Sequence, residues 1–240
     1  MKKILILTIL LLFLSSCTKN ENELILVTEA GFAPYEYYEN GEIIGVDIDI
    51  AKEIANRLGK ELIIKDVSFD SIINELNSSK ADFAAAGMSI TKEREEEVDF
   101  SIEYATSKQV IIVRKDYTQI TKLSDLNNKT ISVQLGSVAD QYISKNYPSA
   151  KLVTQKKFLA AAEDVKSYKA DCLIMDELPA KELVKENNDL KILDIDVFTD
   201  KYAIAVKKGN KELLDQINQI LTELLNDGTI EEYILNHTLN

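Results

Sequence analysis

The sequence predicts an α/β protein made of two similar halves, each with parallel strands that are joined by helices. The first observation is the pattern, because short apolar segments of strand length alternate with amphipathic segments of helix length. The second is a repeated tripeptide, since Lys-Ala-Asp precedes an apolar strand at residues 80–82 and again at 169–171. The third is the length of 240 residues, which allows one large domain or two of about 100 residues.

The elements of the first half follow from hydrophobic periodicity and from turn residues. Asn40-Gly41 favours a tight hairpin, and Gly59 ends a helix whose apolar residues recur at helical spacing. Asp47 and Asp49 are interpreted as a turn and helix-start pair without a chemical role. In order, the predicted elements are strand Leu24–Thr28, the hairpin, a helix through Ile50, Ile54 and Leu58, strand Leu62–Ile64, a helix through Phe69 and Leu76, and strand Phe83–Ala86.

The second half begins with the same order of elements. A strand ends in the glycine turn of residues 134–137, and helices and strands then alternate as before. An apolar segment at residues 202–206 and a long amphipathic helix before Asp227-Gly228 complete the chain. In order, the predicted elements of this half are strand Thr130–Val133, helix Ala139–Asn146, strand Lys151–Thr154, helix Phe158–Tyr168 and strand Cys172–Met175.

The N-terminus reads as a targeting segment that is not part of the fold. Lys2 and Lys3 form a basic start, and the apolar run of residues 4–14 is too short to span a bilayer. Small residues then precede Cys17, which is typical of a bacterial lipoprotein signal cleaved before that cysteine. We therefore expect a signal peptide at 1–16 and a lipid anchor and tether at 17–23, with Cys17 lipidated. The alternative is a plain secretory signal. The chain is expected to be exported and held at the cell envelope, in the periplasm or on the outer face of the cell membrane.

Charge and composition exclude several classes of function. The chain has 28 Lys and Arg against 40 Asp and Glu, for a net charge of -12. Without residues 1–16 it loses only Lys2 and Lys3 among its charged groups and reaches -14, which disfavours nucleic acid or anionic lipid as a partner of the folded body. Cys172 is then the one unmodified cysteine, and His237 is the sole histidine. We expect no disulfide, no metal and no cofactor, and we expect a monomer.

The residues that follow the predicted strands indicate a ligand site. In parallel α/β sheets, ligands bind beyond the carboxyl ends of the strands. Arg94, in the first turn of a helix, suits a carboxylate because a guanidinium donates two parallel hydrogen bonds to it. Asp176 suits a ligand's ammonium group, and Phe32 suits the apolar part of a ligand's side chain. The segments at these strand ends are 29–32, 87–94, 134–138 and Asp176, and together they predict a site for a zwitterion.

Several motifs resemble the solute-binding proteins of polar amino acid ABC transporters, which have a two-lobed periplasmic-binding-protein (type II) fold. The likeness covers residues 24–236. The motifs that carry it are Phe32-Ala33-Pro34-Tyr35, Gly45-Val46-Asp47-Ile48-Asp49, Gly87-Met88-Ser89-Ile90-Thr91-x-x-Arg94, Val98-Asp99-Phe100-Ser101, Gln134-Leu135-Gly136-Ser137 and Tyr202-Ala203-Ile204-Ala205-Val206.

The resemblance implies a cleft between two lobes, joined by strands that cross near Val113 and near Tyr202. Lobe 1 would comprise 24–112 plus 203–240, and lobe 2 would comprise 113–202. Closure of the lobes would bury a free amino acid and present the protein to a permease. The ligand-binding residues implied in this way are Glu29, Phe32, Phe69, Gly87, Met88, Ser89, Arg94, Gln134, Gly136, Ser137, Val138 and Asp176.

The resemblance also implies which part of the ligand each of these residues binds. Phe32 and Phe69 would enclose the ligand's side chain, and Arg94 would bind the α-carboxylate with backbone N–H groups near Ser137 and Val138. The Gly87 carbonyl and Ser89, together with Asp176, would hold the α-ammonium group. The family usually has Thr-Thr where this chain has Ser137-Val138, which removes one hydroxyl contact.

Glu29 is expected to face the distal end of the ligand and to set specificity. The segment Thr28-Glu29-Ala30 is most similar to that of arginine-binding members, and a carboxylate between aromatic rings favours a cationic side chain. The same carboxylate accepts hydrogen bonds from an amide, so glutamine, another polar amino acid or cystine is an open alternative. An alternative from another class is an exported dehydratase of the same fold, with Glu29 or Asp176 as its acid or base.

Overall fold

The structure is a computed structural model that describes residues 20–238. The predicted signal peptide and Cys17 therefore lie outside the described residues. Within residues 20–238, no helix combines the length and the apolarity needed to cross a membrane. Two five-stranded sheets and a two-stranded hairpin organise this part of the chain.

The first sheet has the strand order β4-β1-β5-β12-β6. Strand β1 lies parallel to both of its neighbours, whereas β12 runs antiparallel to β5 and β6. The strands are β1 (Glu23–Thr28), β4 (Glu61–Asp66), β5 (Phe83–Ala84), β6 (Val98–Phe100) and β12 (Ala205–Lys207), and the hairpin pairs β2 (Tyr37–Glu39) with β3 (Glu42–Ile44). Strand β5 is shorter than predicted, because the chain turns at Gly87, whose φ is +50°.

The helices around this sheet bury one apolar face each. In α7 the buried residues Leu213, Ile217, Ile220, Leu221 and Leu224 recur at helical spacing and line one stripe. The helices of this half are α1 (Val46–Arg57), α2 (Ile72–Asn77), α3 (Lys92–Glu97), α7 (Lys211–Asn226) and α8 (Thr229–Thr238), and a 3₁₀ turn at Phe69–Ser71 precedes α2. Helix α1 begins at Val46, four residues before Ile50, the first apolar residue of the predicted helix.

The second sheet has the order β11-β7-β10-β8-β9. Strands β8, β9 and β10 are parallel, while β7 runs antiparallel to β10 and β11. Its strands are β7 (Ala105–Arg114), β8 (Thr130–Gln134), β9 (Lys151–Gln155), β10 (Cys172–Asp176) and β11 (Leu190–Tyr202), and its helices are α4 (Val138–Asn146), α5 (Phe158–Lys166) and α6 (Glu177–Glu186). Helix α5 ends two residues before the predicted Tyr168.

The chain passes between the sheets twice, at residues 101–104 and at 203–204. The first passage lies earlier than the predicted position near Val113, because β7 pairs with β11 over its whole length. The two passages are hydrogen-bonded to each other, since the Ser101 N–H donates to the Ile204 carbonyl and the Tyr104 N–H donates to the Tyr202 carbonyl. Two adjacent connections of this kind form a narrow neck between the lobes.

Candidate functional site

A small cavity of about 20 Å³ lies between the two sheets, beyond the carboxyl ends of β1, β8 and β10. Most of its lining comes from loops that follow strands, as expected for α/β sheets. The residues that line it are Glu29, Phe32, Glu36, Phe69, Ala86, Gly87, Ser89, Arg94, Gln134, Ser137, Val138, Phe158 and Asp176. Both lobes therefore contribute side chains, several of them charged, to one site.

Arg94 is the buried cation of this cavity. Thr91 caps helix α3 by accepting the Arg94 backbone N–H at 3.2 Å, which fixes the start of the helix. The guanidinium donates from Nη1 to the Ser89 carbonyl at 2.6 Å and from Nη2 to the Gly136 carbonyl at 3.0 Å, so it joins the two lobes. Burial lowers the pKa of Arg94 to about 10, and the group stays charged at neutral pH. Three of its five N–H donors remain for a ligand.

Two carboxyl groups, the buried Asp176 and the partly buried Asp200, lie near this guanidinium and attract it. Asp176 accepts a hydrogen bond from the Tyr202 hydroxyl. Asp200, at the end of β11, accepts one from the Ser89 hydroxyl at 2.6 Å. Ser89 is thus held by a residue of the second lobe.

The electrostatics of the two carboxyls are linked. Burial raises the pKa of Asp176, and hydrogen bonds from Tyr202, Gln109 and Ser107 oppose that rise. Burial and then the negative charge of Asp176 raise the pKa of Asp200 to about 7. A cation placed beside this pair would favour the ionised form of both groups.

Asp47 positions the turn at Gly87 and is not the plain helix-start residue that the sequence suggested. It is completely buried, and its carboxylate accepts the Gly87 N–H at 2.8 Å and the Tyr104 hydroxyl at 2.7 Å. A side chain at Gly87 would place its Cβ 2.6 Å from the Phe32 ring, so only glycine fits here. Burial raises the pKa of Asp47 to about 6, while these hydrogen bonds lower it.

Glu36 is a second buried acid in the cavity lining that the sequence did not indicate. Burial and the negative charges of Asp47 and Glu29 raise the pKa of Glu36 well above its usual range. A hydrogen bond between Glu36 and Asp47 contributes to the rise in the pKa of Glu36 and lowers that of Asp47. Glu36 therefore supports the residue that positions the turn at Gly87.

Three phenylalanine rings form the apolar walls of the cavity. Phe32 stacks on Phe158 of the second lobe, with ring centroids 5.1 Å apart. Phe69 lies at the start of the 3₁₀ turn, and the Arg94 guanidinium carbon is 5.2 Å from the centroid of its ring. This contact orients the guanidinium by cation–π attraction.

The N-terminus of α4 provides the anion-binding side of the cavity. Ser137 caps the helix by accepting the Asp140 N–H at 3.2 Å, and Asp140 in turn accepts the Gly136 N–H at 3.0 Å. The cap leaves the Val138 end of the helix facing the cavity beside Arg94. Helix N-termini attract anions because their first N–H groups have no partner within the helix.

Glu29 lies at another end of the cavity and is only 1% exposed. Gln134 donates to its Oε2 at 3.0 Å, and the Lys157 ammonium lies 3.1 Å from its Oε1 and 3.6 Å from Asp66. Burial raises the pKa of Glu29, an effect that Lys157 opposes. Burial would lower the pKa of Lys157, but Glu29 and Asp66 outweigh it and raise that pKa.

Most of the predicted site residues come together around this cavity. Gly136 contributes through its carbonyl group. Met88 lies elsewhere, because its side chain is 1% exposed and packs in the apolar core below the first sheet. Within residues 20–238, no cluster of three or more His, Cys, Asp or Glu side chains has the arrangement of a metal site.

Sequence reasoning missed four functional side chains besides Glu36 and Asp47. Lys157 and Phe158 follow β9, and Asp66 is the last residue of β4. The rule that ligands lie beyond strand ends could have found all three, had it been applied to every parallel strand. Asp200 had no such signal, because β11 is antiparallel to its neighbour β7.

This arrangement of two lobes, two connecting segments and a cavity between the lobes with charged groups in its lining is that of a two-lobed solute-binding protein. Residues 24–238 match the model of the bacterial extracellular solute-binding proteins, family 3, and the chain belongs to that family. The family and the fold predicted from the sequence motifs are confirmed.

Relatives and solved structures agree with this assignment. The arginine-binding extracellular protein ArtP of Bacillus subtilis is 33% identical over 223 residues, which are 91% of this chain and 87% of the relative. The amino acid ABC transporter substrate-binding protein AbpA of Streptococcus pneumoniae, solved with L-arginine, is similar with a TM-score of 0.87. It is 34% identical, and the match covers 90% of this chain and 94% of that one.

A third similar protein is an ancestral arginine-binding protein, solved once with arginine and once with glutamine. Both structures give a TM-score of 0.86 at 39% identity, covering 91% of this chain and 99% of the other. The alternative of an exported dehydratase finds no support among the family and these relatives, which are solute-binding proteins.

Proposed function

We propose that this protein is the extracytoplasmic substrate-binding component of an amino acid ABC importer and that its ligand is L-arginine. The observation that carries the proposal is the set of buried charges around one cavity: Arg94, Asp176 and Glu29. A free basic amino acid has three charged groups of the opposite signs. The names of the relatives, which include arginine-binding proteins of transporters, support the same ligand.

At the α end of the ligand, each charged group meets a partner. The carboxylate binds the free donors of Arg94 and the N-terminus of α4 at Ser137 and Val138. The ammonium group binds Asp176, with the Gly87 carbonyl and the Ser89 hydroxyl as further acceptors. The interlobe contact of Arg94 with Gly136 means that the same guanidinium senses the ligand and lobe closure.

At the side-chain end, the aliphatic stem packs between the phenylalanine rings and the guanidinium reaches Glu29. A buried carboxylate pays a large desolvation cost unless a cation and hydrogen bonds offset it. A cationic ligand supplies that compensation. Glutamine is the second candidate, because Gln134 already shows that an amide donates well to Glu29 and an arginine-binding relative has also been solved with glutamine.

Isothermal calorimetry with arginine, lysine, glutamine and cystine tests the proposal. We expect arginine to bind most tightly and the neutral ligands to bind more weakly. Tight binding of glutamine or cystine without measurable binding of arginine would contradict the proposed ligand, although an amino acid site would remain. A protein that binds none of the free amino acids would contradict the function itself.

Arginine affinity is expected to increase as the pH rises from about 5.5 to 7.5. The free protein binds extra protons in this range because the pKa of Asp200 is about 7, whereas the ligand's ammonium group favours the ionised carboxylates. Binding therefore releases protons, and the affinity rises by at most tenfold per pH unit for each proton released. Calorimetry across this range measures the slope, which Asp200→Asn should flatten. An affinity that falls with rising pH would contradict this account.

We also propose that the mature chain is a monomer tethered to the cell envelope through a lipid on Cys17. The support is the sequence pattern of residues 1–17 and the family, whose members are extracellular. Membrane fractionation of cells that express Cys17→Ser tests the tether. Retention of this variant in the membrane fraction would contradict it.

A further inference from the structure

Lys157 forms an ionic bridge across the cleft at the side-chain end of the cavity. It precedes α5 in the second lobe, while Glu29 directly follows β1 and Asp66 is the last residue of β4, two strands of the first sheet. The ammonium nitrogen lies 3.1 Å from Glu29 Oε1 and 3.6 Å from Asp66 Oδ2. The proposed specificity residue Glu29 thus already has a cation of the protein itself as a neighbour.

The burial of the three side chains differs, and the difference indicates which of them can move. The side chain of Glu29 is 2% exposed and that of Asp66 is 22% exposed, whereas that of Lys157 is 45% exposed. Asp66 is held in place, since it accepts the Ala30 N–H at 2.9 Å and the Tyr38 hydroxyl at 3.1 Å. Lysine has a flexible stem and a strongly hydrated head, so Lys157 can withdraw toward Asp66 and water while Glu29 stays fixed.

Glu29 also keeps an acceptor for a ligand. Among residues 20–238, its Oε1 accepts no well-directed hydrogen bond, although the Lys157 ammonium is close to it. The contact with Lys157 is an ion pair with the nitrogen 3.1 Å from Oε1. A planar guanidinium or a neutral amide could donate to Oε1 with better geometry than the lysine does.

We infer that Lys157 is a second specificity-determining residue, which partly neutralises Glu29 and thereby allows neutral side chains to share a site built for arginine. This inference rests on the proposed function and deepens it. With Glu29 and Asp66 ionised, the three groups carry one net negative charge, which a cationic ligand cancels. A ligand with a neutral side chain leaves that single negative charge in place. If Lys157 were absent, the same ligand would leave two negative charges in place.

Removal of the lysine charge therefore acts in opposite directions on the two kinds of ligand. A cationic side chain loses a repulsive neighbour, whereas a neutral one must now bind beside Glu29 without its ionic partner. The ratio of the two affinities reports this difference alone. Any effect of the bridge on lobe closure is common to both ligands and cancels in the ratio.

Lys157→Met is the test variant, with arginine and citrulline as probes. Citrulline has nearly the shape of arginine but carries a neutral ureido group in place of the guanidinium. We expect the ratio of the citrulline Kd to the arginine Kd to increase at least tenfold over wild type in this variant. Direct calorimetry gives the arginine Kd. Displacement of arginine by citrulline, added up to millimolar concentration, gives the citrulline Kd.

Two control variants separate this role from a structural one. Lys156→Met removes the same charge from the adjacent exposed residue, and it should leave the ratio within about twofold of wild type. Lys157→Arg keeps the charge and should also keep the ratio. A melting temperature near that of wild type shows that each variant folds.

The outcomes distinguish the inference from the function on which it rests. An unchanged ratio in Lys157→Met, an equal change in Lys156→Met, or the failure of citrulline to displace any arginine from the wild type would each overturn the role of Lys157. In all three cases arginine still binds and the proposed function stands. A wild-type protein that binds no arginine would instead contradict the proposed function.

Discussion

Arg94→Ala is expected to abolish amino acid binding in a protein that still folds. The guanidinium is the cation on which the α-carboxylate depends, and it also bridges Ser89 and Gly136 across the cleft. Loss of one partner of a buried charge pair costs about 2–5 kcal/mol, or about 30- to 4,000-fold in affinity. Folding survives because Asp176 and Asp200, whose pKa values are already raised, can be protonated when their counter-charge is removed.

Two further variants show whether ligand binding requires only a positive charge at position 94 or also the geometry of the guanidinium. Arg94→Lys keeps the charge but not the paired donors, and we expect it to recover only part of the affinity. Thr91→Ala removes the cap of α3 without touching the guanidinium, and it should change binding far less. Calorimetry measures the affinities and circular dichroism monitors the fold. Near-native affinity in a folded Arg94→Ala protein would show that Arg94 does not bind the ligand's α-carboxylate.

Glu29→Gln is expected to weaken arginine binding much more than the binding of a neutral ligand. Glutamine at this position keeps the shape and one acceptor oxygen, but it removes the charge that compensates a buried guanidinium. The unbalanced Lys157 ammonium would then also repel the ligand. We expect a loss of about 2–4 kcal/mol for arginine and of less than about 1.5 kcal/mol for glutamine or citrulline.

The matched control for Glu29→Gln is Glu39→Gln, which removes one carboxylate from an exposed position of the hairpin. It should leave the affinities for both ligands unchanged, because Glu39 is exposed and does not line the cavity, and an exposed charge is screened by salt. Calorimetry with arginine and with the neutral ligand on all three proteins gives the comparison. Equal losses for both ligands in Glu29→Gln would show that Glu29 acts through structure and not through charge.

The sequence predicted the fold well where a short-range signal was strong. Strands alternating with helices indicated parallel sheets, and β8 and β10 begin and end within a residue of the predicted positions. The boundaries of β5 and α5 were less accurate, since a strand or helix ends where its partners and its capping interactions end. The passage near Val113 was misplaced for a related reason, because an apolar strand does not itself show which sheet it joins.

The candidate site was predictable to the extent that its residues follow parallel strands. Arg94, Asp176 and Glu29 were identified in this way, and they lie around one cavity. Met88 belongs to the same segment as Gly87 and Ser89 but points into the core. Adjacent residues of an extended segment face opposite sides, and the sequence alone did not indicate which side faces the ligand.

The amino-acid sequence by itself determined the class of fold, the family and the chemical character of the ligand, because these depend on periodicity and on motifs that are local in the chain. The tertiary structure alone decided how the charges are paired. Lys157 lies beside Glu29, although 128 positions separate them in the sequence, and Asp200 lies beside Ser89 at a separation of 111. The packing of the two lobes against each other brings these groups together, and the energy of a charge depends on its distance from every other charge and from water. Such distances exist only in the folded chain.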